Sequence, residues 1–305
     1  MLRVEVESVR SLRFDDGDPV RAASAVAPLG DGWLVAQDDA ASAAWLRNGR
    51  VERVRVLPPV EGYDVFSSAA GTKHLKPDLE AACPVERDGR AGVLLLGSGS
   101  TPRRMRAALV TLQDTPHVVV ADLSPLYAAV ARLLERDPMD LNLEGASPAG
   151  DVLRWFARGN LAAGVPSASV DVDLDQLMAA VVGRVDPADV QPRTPLTYDL
   201  GEVEGVGLTV TDAVALPDGR VLLSAAAEDT PNAYDDGPVV AAALALLDGD
   251  HVLKVLPLPD VHGKVAKVEG LALRDSGPGH VRLLAVVDDD DPERPSACLE
   301  LRVWL

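Results

Sequence analysis

The sequence contains very little cysteine. Cys83 and Cys298 are the only two thiols in 305 residues. Neither lies in a CxxC or other metal-ligand spacing, which excludes a zinc ribbon and an iron–sulfur site of the usual kinds. Because the two residues fall in non-neighbouring repeat units, as described below, we expect no disulfide between them.

Aromatic residues and positive charge are also scarce. Phe, Tyr and Trp make up 4% of a chain that is 47% hydrophobic, so valine, leucine and alanine must fill the core. Valine and leucine on alternating positions suit β-sheets. The net charge of −18 argues against binding to nucleic acid and to anionic membrane surfaces, both of which need a basic footprint.

Long hydrophobic runs are absent as well. No stretch reaches the roughly 18 apolar residues that a membrane-spanning helix needs. The N-terminus reads MLRVEVESVRSLRF, which contains no uninterrupted apolar segment of the kind found in signal peptides. We therefore expect a cytoplasmic protein without a membrane partner. The sequence leaves the oligomeric state open and is compatible with a monomer.

A short motif recurs at intervals of about 60 residues, which indicates a repeat architecture. It places an acidic residue at the head of a short apolar run. The copies read KVEGLAL at 267–273, DLEAACPV at 78–85, NLEGASP at 142–148, VTDAVAL at 210–216 and, in degenerate form, AASAVAP at 22–28. Aligned on the acid, they contribute Ser24, Glu80, Glu144, Asp212 and Glu269.

Each repeat unit contains short strands separated by hairpin signals, which predicts a five-bladed β-propeller with four-stranded antiparallel blades. The last unit has only three strands, and the N-terminal segment 2–14 supplies the fourth. The predicted blades span 22–57, 78–122, 142–203, 208–258, and 267–305 plus 2–14, in one domain. Segment 124–136 predicts a helical insertion. The alternative is a six-bladed ring with a degenerate blade around 114–138 or 160–205.

The first strand of a propeller blade lines the central channel, so the repeat positions should meet at one channel mouth. Glu80, Glu144, Asp212 and Glu269 cannot all stay ionised there without compensation, because like charges raise each other's pKa. Three readings stay open. The acids hold Ca²⁺, which prefers oxygen ligands; they act as general acids and bases; or they pair internally and tie blades together. No organic cofactor is expected.

Several other side chains are candidates for this mouth. His74, on a loop that enters the channel, is a candidate general acid or base. Basic residues near the repeat positions or at the ends of second strands are candidates for binding an anionic ligand, with Ser24 beside them. They are Lys73, Lys76, Arg103, Arg104, Arg158 and Lys267. Ordinary surface residues are the alternative for each of them. The acidic run at 288–293 indicates a solvated loop.

The chain resembles the bacterial propellers grouped with phytase-like esterases. The resemblance rests on KPDLEA at 76–81, LEGAS at 143–147, KVEGLAL at 267–273 and LLAVVDDDDPERPSACLEL at 283–301. It implies calcium-assisted hydrolysis of a small anionic phosphoester or carboxylester, with the four repeat acids holding the metal or acting as base. The chain departs from the pattern at Ser24 and at Ala213. The alternatives are a non-catalytic propeller that binds a ligand or a protein, and a carbohydrate-processing site.

Overall fold

The computed structural model describes residues 3–229, 237–288 and 294–305, and its strands form five antiparallel sheets. In chain order the strands are β1 (Arg3–Ser11), β2 (Ala23–Leu29), β3 (Gly32–Gln37), β4 (Ser42–Arg47), β5 (Arg50–Arg55), β6 (Leu79–Arg87), β7 (Arg90–Gly97), β8 (Arg106–Leu112), β9 (Pro116–Asp122), β10 (Leu143–Ala149), β11 (Val152–Ala157), β12 (Ser167–Asp173), β13 (Arg193–Tyr198), β14 (Glu202–Val203), β15 (Val206–Ala215), β16 (Val221–Glu228), β17 (Val239–Asp248), β18 (His251–Pro257), β19 (Val268–Gly277), β20 (His280–Val287) and β21 (Ala297–Trp304).

Each sheet is one blade of a five-bladed propeller. Blades 1 to 4 comprise β2–β5, β6–β9, β10–β13 and β14–β18, and blade 5 comprises β19–β21 together with β1. The predicted five-bladed fold is confirmed. The six-bladed alternative is wrong for the described residues, because the two segments that it needed supply strands to blades 2 and 3.

The N-terminal strand closes the ring. β1 pairs with β21 in antiparallel register from Arg3 opposite Trp304 to Ser11 opposite Ala297. Its alternating valines, Val4, Val6 and Val9, pack against the core of blade 5. The alternation of valine with charged residues in β1 therefore suits an outer strand with one buried face. As the outer strand of the last blade, β1 leaves β21 without an open edge.

Two helices connect strands at the rim. The helix α1 (Ser124–Leu133) follows blade 2, and Leu126, Tyr127 and Val130 on its apolar face enter the core shared by blades 2 and 3. The helix α2 (Leu174–Val181) lies inside blade 3, where the Asp173 side chain caps it by accepting from the Gln176 N–H at 2.9 Å. Neither helix, nor any other in the described segments, is long and apolar enough to cross a membrane.

Small and aliphatic residues fill the spaces between blades, as the low aromatic content requires. Alanines are fully or almost fully buried in every blade, for example Ala25, Ala81 and Ala285. Cys83 in blade 2 and Cys298 in blade 5 are both buried and unpaired, so the expectation of no disulfide is confirmed. The close approach of blades that these small residues permit sets the geometry of the channel.

Candidate functional site

Each inner strand breaks its pairing register at one residue close to one channel mouth. The bulged residues are Ser24, Glu80, Glu144, Thr211 and Glu269. A bulge leaves one residue unpaired and re-aims its side chain. The recurring motif in the sequence therefore marks a backbone feature. In blade 4, however, the bulge falls on Thr211, one residue before the acid on which we aligned that unit.

The hydroxyl-bearing positions of this ring bind neighbouring blades together. Ser24 Oγ donates to the Leu79 carbonyl at 2.5 Å, and Thr211 Oγ1 donates to the Val268 carbonyl at 2.6 Å. Leu79 and Val268 each precede the bulge of the next blade. Ser24 and Thr211 are therefore equivalent. The ring consists of three glutamates and two hydroxyls in place of the four acids and one serine that the sequence alignment predicts.

Asp212 lies between the blades and is not among the residues that line the mouth. It is 1% exposed, and its Oδ2 accepts the Leu271 N–H of blade 5 at 2.6 Å. Burial raises its pKa well above the ordinary value, although nearby backbone N–H groups, including that of Ala146 in blade 3, act to lower it. Asp212 thus ties blade 4 to blade 5, which is the structural role that the sequence left open for the repeat acids.

The mouth itself is a small, highly charged cavity of about 80 Å³. Nine of the predicted site residues meet there: Ser24, Lys73, Lys76, Glu80, Arg104, Glu144, Arg158, Lys267 and Glu269. Three do not line it. Besides Asp212, these are Arg103, which pairs with Glu61 at 2.9 Å, and His74, which is exposed on a short turn.

One side of the mouth is organised by Lys76. Its ammonium group lies 2.7 Å from Asp38 Oδ2 and 2.6 Å from Asp78 Oδ1. Asp78 also accepts from Arg104 Nη1 at 2.8 Å and from Ser98 Oγ. Burial alone would raise the pKa of Asp78, but the charges of Lys76 and Arg104 lower it below its ordinary value. Asp78 is therefore an ionised carboxylate with donors on both oxygens.

Glu80 lies beside Asp78, but its pKa is shifted in the opposite direction. Its carboxylate oxygen can approach those of Asp38 and Asp78 so that all three lie within 4.8 Å of one another. Burial raises the pKa of Glu80 well above its ordinary value, and the charges of Asp78 and Asp38 raise it further. Neighbouring carboxyls whose pKa values are pushed apart take different roles, one holding a proton and the other a charge.

The other side of the mouth repeats this arrangement around Arg158. Its guanidinium lies 3.2 Å from Glu144 Oε1 and 2.7 Å from Glu228 Oε2. Lys267 Nζ contacts Glu228 at 3.1 Å and Glu269 Oε1 at 2.8 Å. Burial would raise the pKa of Glu228, but Arg158 and Lys267 lower it to about 2.

On this second side of the mouth, Glu144 is the carboxyl group with a raised pKa. Burial, opposed by Arg158 and reinforced by Glu269, raises the pKa of Glu144 to about 8. Its Oε1 accepts from Asn142 Nδ2 at 2.6 Å, whereas its buried Oε2 has no hydrogen-bond partner among the described residues. The mouth therefore holds two glutamates with raised pKa values, each beside a carboxylate that is fixed by cations.

Four acids of this network were not among the predicted site residues: Asp38, Asp78, Glu228 and Asp288. Asp38, Glu228 and Asp288 follow or end the second strands of their blades, so the topology brings them to the mouth. Asp288 accepts the Ala22 N–H at 3.1 Å and thereby joins blades 5 and 1. The rest of the acidic run, 289–293, lies outside the described residues. Asp78 is the first residue of the motif copy DLEAACPV, two residues before Glu80.

The predicted calcium site does not match this arrangement of side chains. Of the four predicted ligands, only Glu80 belongs to a group of acids close enough to share a metal within the described part of the chain, and its companions are Asp38 and Asp78. The Lys76 ammonium already places a positive charge between those two aspartates. While Lys76 holds this position, the two aspartates are not available to a Ca²⁺, because calcium needs several ionised or carbonyl oxygens to itself.

Comparison with known proteins gives a family. The family described as "Family of unknown function (DUF6910)" matches residues 72–292. The chain belongs to this family. The DUF6910 match begins one residue before Lys73 and includes Glu80, Glu144 and Glu269. No curated protein matches the chain in sequence.

Solved structures similar to this DUF6910 member have low sequence identity to it. A luciferin-regenerating enzyme is 12% identical with a TM-score of 0.45, covering 94% of this chain and 79% of its own. A putative glycoside hydrolase from Bacteroides ovatus is 14% identical with a TM-score of 0.49, covering 93% and 86%. A gluconolactonase from Xanthomonas campestris is 14% identical with a TM-score of 0.33, covering 94% and 71%. Similarities at this level give no basis for assigning an activity.

Proposed function

We propose that the channel mouth is the active site of a hydrolase that acts on a small ester carrying a negative charge. The observation that carries the proposal is the pair formed by Asp78 and Glu80. Asp78 accepts hydrogen bonds from Ser98 and Arg104 and pairs with Lys76, so Glu80 remains as a half-buried acid with a raised pKa that can deliver a proton. A proton donor of this kind contributes about 10²–10⁴-fold to a hydrolysis rate.

The cations of the mouth support an anionic substrate. Six carboxyl groups and five cationic side chains line the cavity, and Glu228 pairs with two of these cations from outside the lining. With Glu80 and Glu144 protonated, five negative charges face five positive ones. The mouth is therefore close to neutral in a chain of net charge −18. Lys73, Lys76 and Arg104 are the cations through which an anionic group would be oriented. No aromatic side chain lines the mouth in the described residues, which disfavours the carbohydrate alternative.

Glu80 and Glu269 take complementary roles in this proposal. Glu269 holds one oxygen against Lys267 at 2.8 Å and keeps a second oxygen with which to accept a proton from water. The resulting hydroxide attacks the ester carbon or phosphorus. The bond to the leaving oxygen breaks, and that oxygen takes the proton of Glu80. The carboxylate of Asp78 holds Lys76 and Arg104 in place throughout.

Hydrolysis of 4-nitrophenyl phosphate, with uncharged 4-nitrophenyl acetate as comparison, tests the proposal. We expect the charged ester to be preferred, and Glu80→Gln or Glu269→Gln to lower kcat/KM by about 10²-fold or more. Glu86→Gln is the matched control, because Glu86 lies on the same strand as Glu80 but is exposed. Undiminished hydrolysis in the Glu80→Gln/Glu269→Gln double variant shows that the ring is not the catalytic site. Binding of the anion without turnover by the wild type favours a ligand-binding module.

A cation-assisted version is the second candidate, favoured by the close approach of Asp38, Asp78 and Glu80. It requires Lys76 to leave its two aspartates. Thermal melting with Ca²⁺, without it and after chelation distinguishes the versions. A melting midpoint that rises with Ca²⁺ and falls on chelation supports a bound metal, and a midpoint unchanged in both directions eliminates it while leaving the metal-free hydrolase intact.

A further inference from the structure

A second cavity, of about 250 Å³, lies at the interface of blades 1 and 5 and shares no lining residue with the channel mouth. We call it the arginine cleft. Four arginines line it, Arg10 and Arg274 from blade 5 and Arg47 and Arg50 from the β4–β5 hairpin of blade 1. Arginine is the side chain best suited to planar, bidentate recognition of carboxylate and phosphate groups.

The carboxylates at the arginine cleft leave one arginine without a partner. Glu300 is engaged by Arg274 at 2.5 Å. Asp31 accepts from Asn48 Nδ2 at 3.1 Å, and no described cationic side chain lies within 4.0 Å of it. Asp15 and Glu52 lie outside the lining and pair with the two arginines of blade 1. One of the four guanidinium groups therefore has no carboxylate partner among the described residues.

Arg10 is the least compensated of these cations. It is exposed near the end of β1, and none of the described carboxylates lies within ion-pair distance of its guanidinium. Arg50, by contrast, pairs with Asp15 at 2.8 Å, and Arg47 pairs with Glu52 at 3.5 Å and stacks over Trp45 at 3.8 Å. Those contacts hold the blade 1 arginines in fixed positions, while the charge of Arg10 is available to a ligand.

A small part of the wall of the cleft is apolar and continuous with the core. Leu46 of blade 1 and Leu284 of blade 5 belong to the hydrophobic core between these blades, and Trp33 packs against it. A molecule in the cleft would therefore contact both blades at once, with its charges toward the arginines and its body toward the leucines. The two blades are the ones that the ring closure brings together.

We propose that the arginine cleft binds a small anion with at least two negative charges, either phosphates or carboxylates, and that the bound anion clamps blade 1 to blade 5. A ligand that binds only the folded protein raises its apparent stability in proportion to the logarithm of its concentration above Kd. The proposal is independent of catalysis at the channel mouth.

Sodium pyrophosphate and citrate are the probes, added at constant ionic strength with sodium chloride as reference. We expect at least one of them to raise the melting midpoint in a saturable manner, and calorimetric titration to give a matching Kd. Arg10→Gln removes no ion pair within the described structure, so the variant should fold. Losing one charge-assisted contact should weaken its binding by about tenfold or more.

Arg90→Gln, at an exposed position at the start of β7, is the matched control and should bind as the wild type does. Tighter binding of pyrophosphate identifies a phosphate-bearing ligand, and tighter binding of citrate identifies a polycarboxylate. The proposal is overturned if neither probe gives a saturable rise, or if Arg10→Gln responds as strongly as Arg90→Gln. Equal responses would assign the effect to general anion binding.

Discussion

Individual acidic residues of this propeller have different roles, which depend on the hydrogen bonds that they accept. Asp212 and Glu80 occupy nearly the same place in the repeated motif, yet Asp212 accepts a backbone N–H of the next blade whereas Glu80 faces the mouth. A shift of one residue along the strand separates the two roles. Both groups have a raised pKa because of burial, so the direction of a pKa shift alone does not distinguish a structural acid from a catalytic one.

Replacing Asp212 should reduce stability. Asp212→Ala leaves the Leu271 N–H without its acceptor in a buried position. An unsatisfied buried donor costs about 1–3 kcal/mol, and we expect the free energy of unfolding to fall by that amount. Urea denaturation measures it. Asp114→Ala, in the exposed β8–β9 turn, serves as control and should change little. Equal stability of the two variants would show that the contacts of Asp212 do not hold the blades together.

Glu144 should make the stability of the fold fall as pH rises. Its pKa is about 8 in the folded protein against an ordinary value of 4.5, so between these values the folded state binds a proton that the unfolded state has lost. Stability then decreases with pH across this window, by up to about 1.4 kcal/mol per unit for one group.

The variant Glu144→Gln removes this dependence. In urea denaturation at pH 5, 6.5 and 8, we expect the decline in unfolding free energy to be shallower for Glu144→Gln than for the wild type. Glu86→Gln, which changes an exposed glutamate, should retain the wild-type slope. A variant slope as steep as that of the wild type would mean that Glu144 is ionised throughout.

At the scale of the strands, the residue directly after the bulge sets how closely neighbouring blades approach. In blades 3 and 5 the bulged glutamate precedes a glycine, and a Cβ on Gly270 would lie 2.8 Å from Ala25 Cα and 2.9 Å from Ala25 C in blade 1. No side chain fits there without moving the backbone of the next blade. The glycine of the EG dipeptide in KVEGLAL and NLEGASP is therefore explained by close packing between inner strands.

Gly270→Ala should destabilise the ring by overpacking, by about 1–3 kcal/mol or more. The matched control is Ala81→Gly, because blade 2 accommodates a Cβ at the same repeat position. That reverse change should cost only about 1 kcal/mol through backbone entropy. Differential scanning calorimetry of both variants makes the comparison. A Gly270→Ala protein that melts at or above the midpoint of Ala81→Gly would contradict the steric argument.

Some features of the strands could be predicted from the sequence and others could not. The period of the motif and the orphan strand at 2–14 predicted the number of blades and the closure, because both depend on local pattern and on the need to pair edges. The position of the bulge in blade 4 could not be read in this way, since VTDAVAL contains an acid beside a threonine and only the register decides between them. Asp78 and Glu228 were not predicted as site residues, because their roles arise from cations that the fold brings to them.

At the scale of the whole molecule, the ring is closed by pairing between the N-terminal strand β1 and the C-terminal strand β21. Deleting residues 1–11 removes β1, exposes β21 as an open edge and uncovers the core against which Val4, Val6 and Val9 pack. We expect the truncated protein to lose its cooperative thermal transition, as followed by near-ultraviolet circular dichroism, before any question of activity arises. A truncated protein that keeps a cooperative melt would contradict a ring closed by this strand.

The mouth is close to neutral although the whole molecule has a net charge of −18, because burial favours the protonated forms of Glu80 and Glu144. Infrared spectroscopy of protein labelled with ¹³C-glutamate tests this claim most directly, because it separates protonated glutamic acid from glutamate. At pH 7 we expect a protonated-carboxyl band in the wild type and in Glu86→Gln, and a smaller band in Glu80→Gln. A band of equal size in Glu80→Gln and Glu86→Gln would contradict the account, because Glu80 would then carry no proton to donate.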